Sequence, residues 1–224
     1  MLHVSLPSPT SILNPPFRQF RVSVLLLKKN NIMAQTVNDK VGAKEKPSED
    51  NTNKGQEGND HEKQLGTLSR NIIPHILNLY GCSAKARDFE IYAPNATFED
   101  PFMSANGLKQ IKSAFYSLSK ILSEGKMVEY SVQENETSPG CGEILIDNKQ
   151  HYKVIGKTID LTSLIALQVE HGKIIRHEDR WGKVALKNRH TVSVPLVGRV
   201  AEGLRKCTGL ITHLMMGFGK DPTS

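Results

Sequence analysis

Four consecutive runs rich in β-branched residues occupy much of the second half of the chain. Apolar and polar side chains alternate within each run, as they do in strands that bury one face. Glycine-containing turn signals separate the runs, at Ser138-Pro139-Gly140, Gly156-Lys157 and His171-Gly172. Strands joined by such short turns pair as an antiparallel meander. The predicted strands are Met127–Gln133, Glu143–Ile155, Thr158–Glu170 and Lys173–Trp181.

Helical spacing precedes this meander. One apolar stripe is followed by Gly81 and predicts a helix that begins at Ile72 with Asn71 as its N-cap. Ser83 predicts a second, short helix through Tyr92, and Ser104 or Asn106 predicts the start of a third. Helices followed by a meander indicate an α+β fold in which N-terminal helices cover one face of a curved antiparallel sheet. The stripe of the first helix contains Leu65, Leu68, Ile72, Ile76, Leu79 and Tyr80, and that of the third contains Leu108, Ile111, Phe115, Leu118 and Leu122.

The C-terminal extension, residues 187–224, contains a further amphipathic pattern. We expect this helix to pack its apolar stripe on its own domain. A lid over a binding site, a dimer element and a helix lying on a membrane surface are the alternatives that the pattern leaves open. The stripe consists of Val197, Val200, Leu204, Cys207, Ile211, Leu214 and Phe218.

The N-terminal extension, residues 1–66, is predicted to be disordered because its polar part lacks apolar periodicity. Residues 1–38 contain four basic and no acidic residues, a composition typical of an organelle transit peptide. A start at Met33 is the alternative. The expected location is therefore cytoplasmic, or a plastid or mitochondrion if residues 1–38 are a transit peptide. No apolar run reaches the roughly 18 residues of a transmembrane segment, so none is expected.

Composition narrows the classes of ligand. The three cysteines lack metal-ligand spacing, so we expect no metal site, and no motif predicts another cofactor. The formal net charge of +6 is concentrated in the terminal regions, without an aromatic or basic-helix signature of nucleic-acid binding. Neither a cofactor nor a nucleic acid is therefore expected as a partner.

Turn geometry predicts which strand residues share a face. A two-residue loop at His171-Gly172 pairs Glu170 with Lys173. One face then carries Leu164, Ala166, Gln168, Ile175, His177, Asp179 and Trp181. The other face carries Ile165, Leu167 and Val169. Alternation alone does not decide which of the two faces the helices cover.

The stretch Phe89–Phe102 and several later motifs together resemble a known protein family. These are Tyr92, Glu99-Asp100-Pro101-Phe102, Asn106-Gly107, Ala114-Phe115-Tyr116 and the run from Glu170 to Trp181. The region of residues 70–183 resembles the nuclear-transport-factor-2-like superfamily in its SnoaL-like branch, with a local similarity to ketosteroid isomerases. The resemblance implies a cone-shaped fold for residues 67–186, with a proton-transferring base at Asp100.

The resemblance also implies the site. The concave face would be the one that bears Leu164, with Leu164 at the position of an acid donor and Ile76 or Leu77 near that of a tyrosine. A three-residue loop at Ile155–Lys157 would turn the face of Tyr152 inward. The candidate catalytic residues are Asp100, His177 and Asp179. The candidate pocket residues are Tyr92, Phe98, Phe102, Ile144, Ile146, Tyr152, Leu164, Gln168 and Trp181.

Two functions follow as expectations. The first is binding of a small, mostly apolar molecule in a conical pocket, with acid–base chemistry of lyase or isomerase type. The second is a non-catalytic dimerisation or protein-interaction module with a vestigial pocket. Its dimer or partner surface would be the face of Ile165, Leu167 and Val169 with Ile159 and Leu161, and a homodimer would form through the sheet. Whether the domain is an enzyme is left open by the sequence.

Overall fold

The computed structural model describes residues 65–154, 156–186 and 195–222. Most of the predicted N-terminal extension, including the whole candidate transit peptide, lies outside these residues. Among the described helices, none has the length and hydropathy that crossing a membrane requires. The elements are, in order, α1 (Thr67–Tyr80), a 3-10 turn (Ala86–Phe89), β1 (Tyr92–Glu99), β2 (Ser104–Asn106), α2 (Leu108–Ile121), β3 (Glu124–Ser138), β4 (Cys141–Val154), β5 (Lys157–Glu170), β6 (Lys173–Trp181) and α3 (Pro195–Met215).

The six strands form one open, curved sheet in the order β2-β1-β6-β5-β4-β3. Helix α1 packs against β3 and β4, and α2 packs against β1 and β2. The predicted α+β fold is confirmed, and the helices lie over the sheet as the superfamily resemblance implies. The sheet is mixed and not purely antiparallel, because β1 pairs with β6 in parallel. The largest fully buried apolar side chains of this core include Ile72, Ile76, Leu79, Ile144, Ile146, Ile165 and Leu167.

The predicted end of the first helix at Gly81 is confirmed, but its predicted start and the predicted second helix were wrong. Helix α1 begins at Thr67 and ends before Gly81, so Asn71 lies inside the helix and is not its cap. The short helix predicted through Tyr92 is a single 3-10 turn, and Tyr92 begins β1. Strand β1 accommodates Pro94 where its pairing with β6 shifts register, between Tyr92 and Thr97, because proline has no N–H for a regular ladder.

The third predicted helix is α2, but neither Ser104 nor Asn106 caps it. Both residues belong to β2, and Gly107 is the N-cap. Gly107 has a φ of 81°, a conformation that glycine adopts without a steric penalty. The turn from β2 into α2 therefore depends on this glycine.

The start of α1 is set by a side chain from β3. Glu134 accepts the backbone N–H groups of Leu68, at 3.2 Å, and Ser69, at 2.8 Å. Burial alone would raise the pKa of Glu134, but these hydrogen bonds from Ser69 and Leu68 lower it overall. A carboxylate at this helix end satisfies two free donors and interacts favourably with the helix dipole.

We expect Glu134→Gln to lower the free energy of unfolding by about 1 kcal/mol at neutral pH. A lowered carboxyl pKa stabilises the fold above the unfolded-state pKa, and this contribution is lost as the pH falls through the folded-state pKa. Urea unfolding at neutral and acidic pH measures the effect. Glu129→Gln is the matched control, since Glu129 is exposed on the same strand and makes only a 3.7 Å ion pair with Lys149. Equal losses in both variants would contradict the capping role.

The predicted register of β5 and β6 was wrong by one residue beyond the turn. Glu170 pairs with Lys173 as predicted, but a bulge between Gln168 and Val169 leaves Ile175 unpaired. Leu167 therefore lies opposite His177, and Ile165 lies opposite Asp179. A bulge changes the faces of all later residues on one strand, because side chains alternate with a period of two.

This correction moves two candidate pocket residues. Leu164 and Gln168 pair with Arg180 and Arg176, on the sheet face opposite that of His177 and Asp179. The proposed acid-donor position at Leu164 is therefore not on the inner face. The apolar face suggested for dimerisation is wrong as well, because Ile165, Leu167 and Val169 are buried in the core of this chain.

The inward face of β4 was predicted correctly, although the loop that led to it was not. Val154 pairs with Lys157 across a two-residue turn, and not across three residues. The predicted turn between β4 and β5 was one residue too long, and the predicted inward face of β5 was displaced by one residue. The two errors cancel for β4. Ile144, Ile146, Asn148 and Gln150 are accordingly buried.

Helix α3 packs with its apolar stripe outward, contrary to expectation. It lies against α2 and β2. A β-carbon on Gly209 would overlap the carbonyl oxygen of Ser104, so the backbones of α3 and β2 lie close together at this glycine. The inward residues are small or polar and include Gly198, Arg205, Gly209 and Thr212. The side chain of Val197 lies outside the described part of the structure.

Candidate functional site

Asp100 lies immediately after β1, where it forms a tight turn. Its Oδ1 accepts the N–H groups of Phe102, at 2.7 Å, and Met103, at 2.6 Å. Burial raises the pKa of Asp100 from 3.8 to about 7, although these two hydrogen bonds oppose the shift. The charge of Asp179 raises this pKa further, and the guanidinium of Arg205 on α3 lowers it. Asp100 thus combines a structural role in the turn with a proton that exchanges near neutral pH.

Asp179 occupies the neighbouring strand at the same level. Phe98 pairs with His177 and Glu99 with Glu178, so Asp100 and Asp179 each come directly after the last pair of this register. The Oδ2 atom of Asp179 accepts the indole N–H of Trp181 at 2.9 Å. Its buried Oδ1 has no hydrogen-bond partner among the residues that the structure describes.

The environment of Asp179 favours its protonated form. Burial raises the pKa of Asp179, and this effect outweighs the opposing influence of nearby hydrogen-bonding side chains. Two buried carboxyl groups whose charges repel each other are harder to ionise together than singly. Trp181 lowers the pKa of Asp179 through its hydrogen bond to Oδ2, and Ser163, Tyr80 and Gln150 lower it as nearby polar groups that do not reach hydrogen-bond geometry with Oδ1.

His177 lies between two tyrosines in the core. The hydroxyl of Tyr92 is 2.7 Å from its Nδ1, and the hydroxyl of Tyr80 is 3.1 Å from its Nε2. Burial lowers the pKa of His177 from 6.5 to about 3, so its imidazole is neutral at ordinary pH. The rings of Phe98 and Phe115 also contact the imidazole. His177 is therefore suited to positioning the tyrosine hydroxyls, because both of its ring nitrogens are already engaged.

A second hydrogen-bonded chain crosses β4 and β5. The hydroxyl of Tyr152 donates to Gln150 at 2.9 Å, and the amide of Gln150 donates to Asn148 at 2.9 Å and to Ser163 at 3.1 Å. Asn148 in turn donates to the hydroxyl of Ser163 at 3.1 Å. This network brings uncharged polar groups to the side of Asp179 in the same buried region.

Aromatic and aliphatic side chains surround these groups. Phe102 contacts the edge of Trp181, with 5.0 Å between ring centroids, and Phe98 contacts Phe115. Tyr92, Phe98, Ile144 and Ile146 are buried. We call Asp100, Asp179, Tyr80 and His177, with this apolar surround, the interior site. Their action on a ligand remains a prediction.

Sequence reasoning missed three contributors to this site. Tyr80 was assigned to the apolar stripe of α1, although its position at the C-terminal end of the helix could have marked it as a polar contact. Ser163 was overlooked because the predicted register turned it outward. Arg205 was overlooked because the apolar stripe of α3 was expected to face inward.

The groups of the interior site have side chains of the types that exchange or donate protons. No group of three or more His, Cys, Asp and Glu residues in the described ranges could hold a metal ion. A carboxyl group with a pKa near 7 can accept a proton or donate one at neutral pH. A protonated Asp179 and the hydroxyl of Tyr80 can donate hydrogen bonds to an oxygen that gains negative charge.

Comparisons with known proteins find structural similarity only. No protein-family model and no curated protein matches the chain. One similar structure is an NTF2-like protein from Anabaena variabilis ATCC 29413, with a TM-score of 0.45 and 10% identity over 58% of this chain and 96% of that one. A second is a phenazine biosynthesis-related protein from Pseudomonas aeruginosa, with a TM-score of 0.41 and 12% identity over 57% and 96% of the two chains.

A third similar structure is a hypothetical protein with a ketosteroid isomerase-like fold from Catenulispora acidiphila DSM 44928, in complex with trimethylamine. Its TM-score is 0.41, with 11% identity over 59% of this chain and 92% of that chain. Identities and TM-scores this low carry no information about ligand or activity.

Proposed function

We propose that the domain binds a small, mostly apolar molecule at the interior site and holds a polar atom of it against Asp179. The observation that carries this proposal is the buried Oδ1 of Asp179, which lacks a hydrogen-bond partner among the described residues. Buried polar atoms are rarely left unsatisfied, and such atoms call for an explanation. A ligand oxygen or nitrogen bound there would complete the hydrogen bonding of the carboxyl group.

The proposed chemistry is proton transfer of lyase or isomerase type. Asp100 would take a proton from carbon or oxygen of the ligand and return it, since its pKa of about 7 suits both steps. Protonated Asp179 and Tyr80 would stabilise the charge that develops on the ligand oxygen. His177 would act as a positioning residue through Tyr80. Phe98, Phe102 and Trp181 would exclude water from the reacting atoms.

The chain offers its own reporter for ligand binding. Trp181 is its single tryptophan, and its indole N–H donates to Asp179. A ligand that reaches Asp179 is expected to change the emission of Trp181. Native mass spectrometry of the purified protein would first identify any co-purified molecule, and fluorescence titration with that molecule, or with a panel of small ketones and phenols, would then measure affinity.

Two carboxyl variants test the assignment of roles. We expect Asp179→Leu to weaken binding by about tenfold or more, because leucine can neither accept the hydrogen bond from Trp181 nor form one to the ligand. Asp100→Asn should retain binding but lose any turnover. Asp160→Asn is the control, since that exposed side chain on β5 pairs with His151. Unchanged affinity in Asp179→Leu would contradict the proposal, as would the absence of any co-purified or titrated ligand.

A further inference from the structure

Helix α3 presents a continuous apolar surface away from the domain. We call it the outer face of α3 and define it as Val200, Leu204, Cys207, Ile211, Leu214 and Phe218. Its five large hydrophobic residues are between 52% and 65% exposed. At about 100° per residue, the members from Val200 to Leu214 fall within one narrow arc of the helix. Exposed apolar surfaces of this extent commonly mark sites of interaction with another molecule or a membrane.

Positive charge borders this surface. Arg199 and Lys206 are exposed and lie on one edge of the arc, about 60–80° from its nearer members. Lys220 follows the helix and is also exposed. After Gly182 the sequence contains seven lysines and arginines and only two acidic residues. An apolar arc with a basic edge is the pattern of helices that lie in the interface of an anionic bilayer.

We propose that the outer face of α3 binds the surface of an anionic lipid bilayer. The apolar side chains would enter the boundary between headgroups and acyl chains, and Arg199, Lys206 and Lys220 would contact lipid phosphates. The charge argues against a second copy of this chain as the occupant. Two outer faces packed together would bring like-charged basic edges near each other, with no acidic partners on the arc.

The inward side of α3 explains why this surface is available. Gly209 sits against the backbone of Ser104, and Arg205 and Thr212 are buried. The contact with β2 therefore uses small and polar residues, and rotating the helix to bury its leucines would bring a side chain into the carbonyl of Ser104. The fold holds α3 so that its apolar arc points outward.

Co-sedimentation of the full chain with lipid vesicles tests the proposal. We expect binding to vesicles of phosphatidylcholine mixed with phosphatidylglycerol, and weaker binding to phosphatidylcholine alone. Added salt should reduce binding, because screening weakens contacts between exposed charges. The basic N-terminal residues could also attract anionic lipid, so variants on α3 are needed to identify the surface.

Three variants localise the binding. The double variant Leu204→Gln with Ile211→Gln should lower the partition coefficient by about tenfold or more. Gly203→Leu should raise it, since a β-carbon at Gly203 meets nothing within 4 Å and lies beside the outer face. Val184→Gln is the matched control and should change nothing, because Val184 is 63% exposed but lies outside α3.

Circular dichroism must show that all variants retain the parent's fold. Partition coefficients that are unchanged in both α3 variants would overturn the proposal and assign vesicle binding to another region. Failure of the parent to bind anionic vesicles would also overturn it. Sedimentation velocity without lipid tests whether a second copy of the chain occupies the outer face instead. If the parent self-associates, the double variant does not, and neither binds vesicles, the outer face would be assigned to a second copy.

Discussion

Asp100→Asn is expected to stabilise the protein by up to about 4 kcal/mol near pH 8 and to leave stability nearly unchanged near pH 4. The asparagine keeps an oxygen that can accept the N–H groups of Phe102 and Met103, so the turn after β1 is preserved. It removes only the ionisable group. Few single substitutions in a buried site stabilise a protein this much, because most of them create cavities or unsatisfied polar atoms.

The direction follows from proton binding. Burial raises the pKa of Asp100 from 3.8 to about 7, so the folded protein holds a proton that the unfolded chain releases between those values. Stability therefore falls as the pH rises through that interval and is constant above it. His177, with its lowered pKa, gives the opposite slope between about pH 3 and pH 6.5. That contribution is present in both proteins and cancels in the difference.

Urea unfolding across this pH range measures the difference between variant and parent. Asp160→Asn serves as a control for removal of an aspartate, since the Asp160 side chain is 57% exposed. The stabilisation of Asp100→Asn should grow with pH, whereas the control should differ little from the parent at any pH. A variant that is destabilised equally at all pH values would show that Asp100 serves the turn alone.

Gly209→Ala is expected to separate α3 from β2, because the added methyl group would overlap the carbonyl oxygen of Ser104. The backbone of Ser104 cannot move aside as the end of a flexible side chain can, so the helix must shift. Overpacking of this kind costs roughly 1–3 kcal/mol, so the population of the detached helix should rise by about tenfold or more. Gly203→Ala is the matched control on the same helix, where the new methyl group meets no atom within 4 Å.

Limited trypsin digestion reports the position of α3. Arg205 is buried against the domain, so cleavage after it requires the helix to open. We expect faster cleavage in Gly209→Ala and slower cleavage in Gly203→Ala, because alanine stabilises an exposed helix position by about 1 kcal/mol relative to glycine. Equal cleavage rates in the two variants would indicate that Gly209 does not determine the docking of α3.

Much of the fold could be predicted because its signals are local. The alternating runs became β3 to β6, and helical spacing located α1, α2 and α3. Strand β1 was harder to predict, since Pro94 interrupts a stretch whose pairing partner, β6, is about eighty residues away. The cap that starts α1 is equally distant, because Glu134 lies 65 residues beyond Ser69. A contact between two distant segments produces no periodic pattern in the sequence of either segment.

The candidate site was predicted in part for the same reason. Asp100, Asp179, His177 and Tyr152 do reach the inner face, since side chains alternate regularly along the short stretches that carry them. Leu164 was misplaced by a single bulged residue, Ile175, that no turn signal marks. Whether a strand contains a bulge depends on packing with its neighbours, which the sequence of that strand alone does not specify.

The tyrosines around His177 impose a direction on the hydrogen bonds of the site. A neutral imidazole carries one proton, so the ring donates to only one of these two hydroxyls and accepts from the other. Tyr80 keeps its own proton for a ligand only in the tautomer whose proton lies on Nε2, in which Nδ1 accepts from Tyr92. The direction of the Tyr92 hydrogen bond on β1 is therefore linked, through this one ring, to the ability of Tyr80 on α1 to donate.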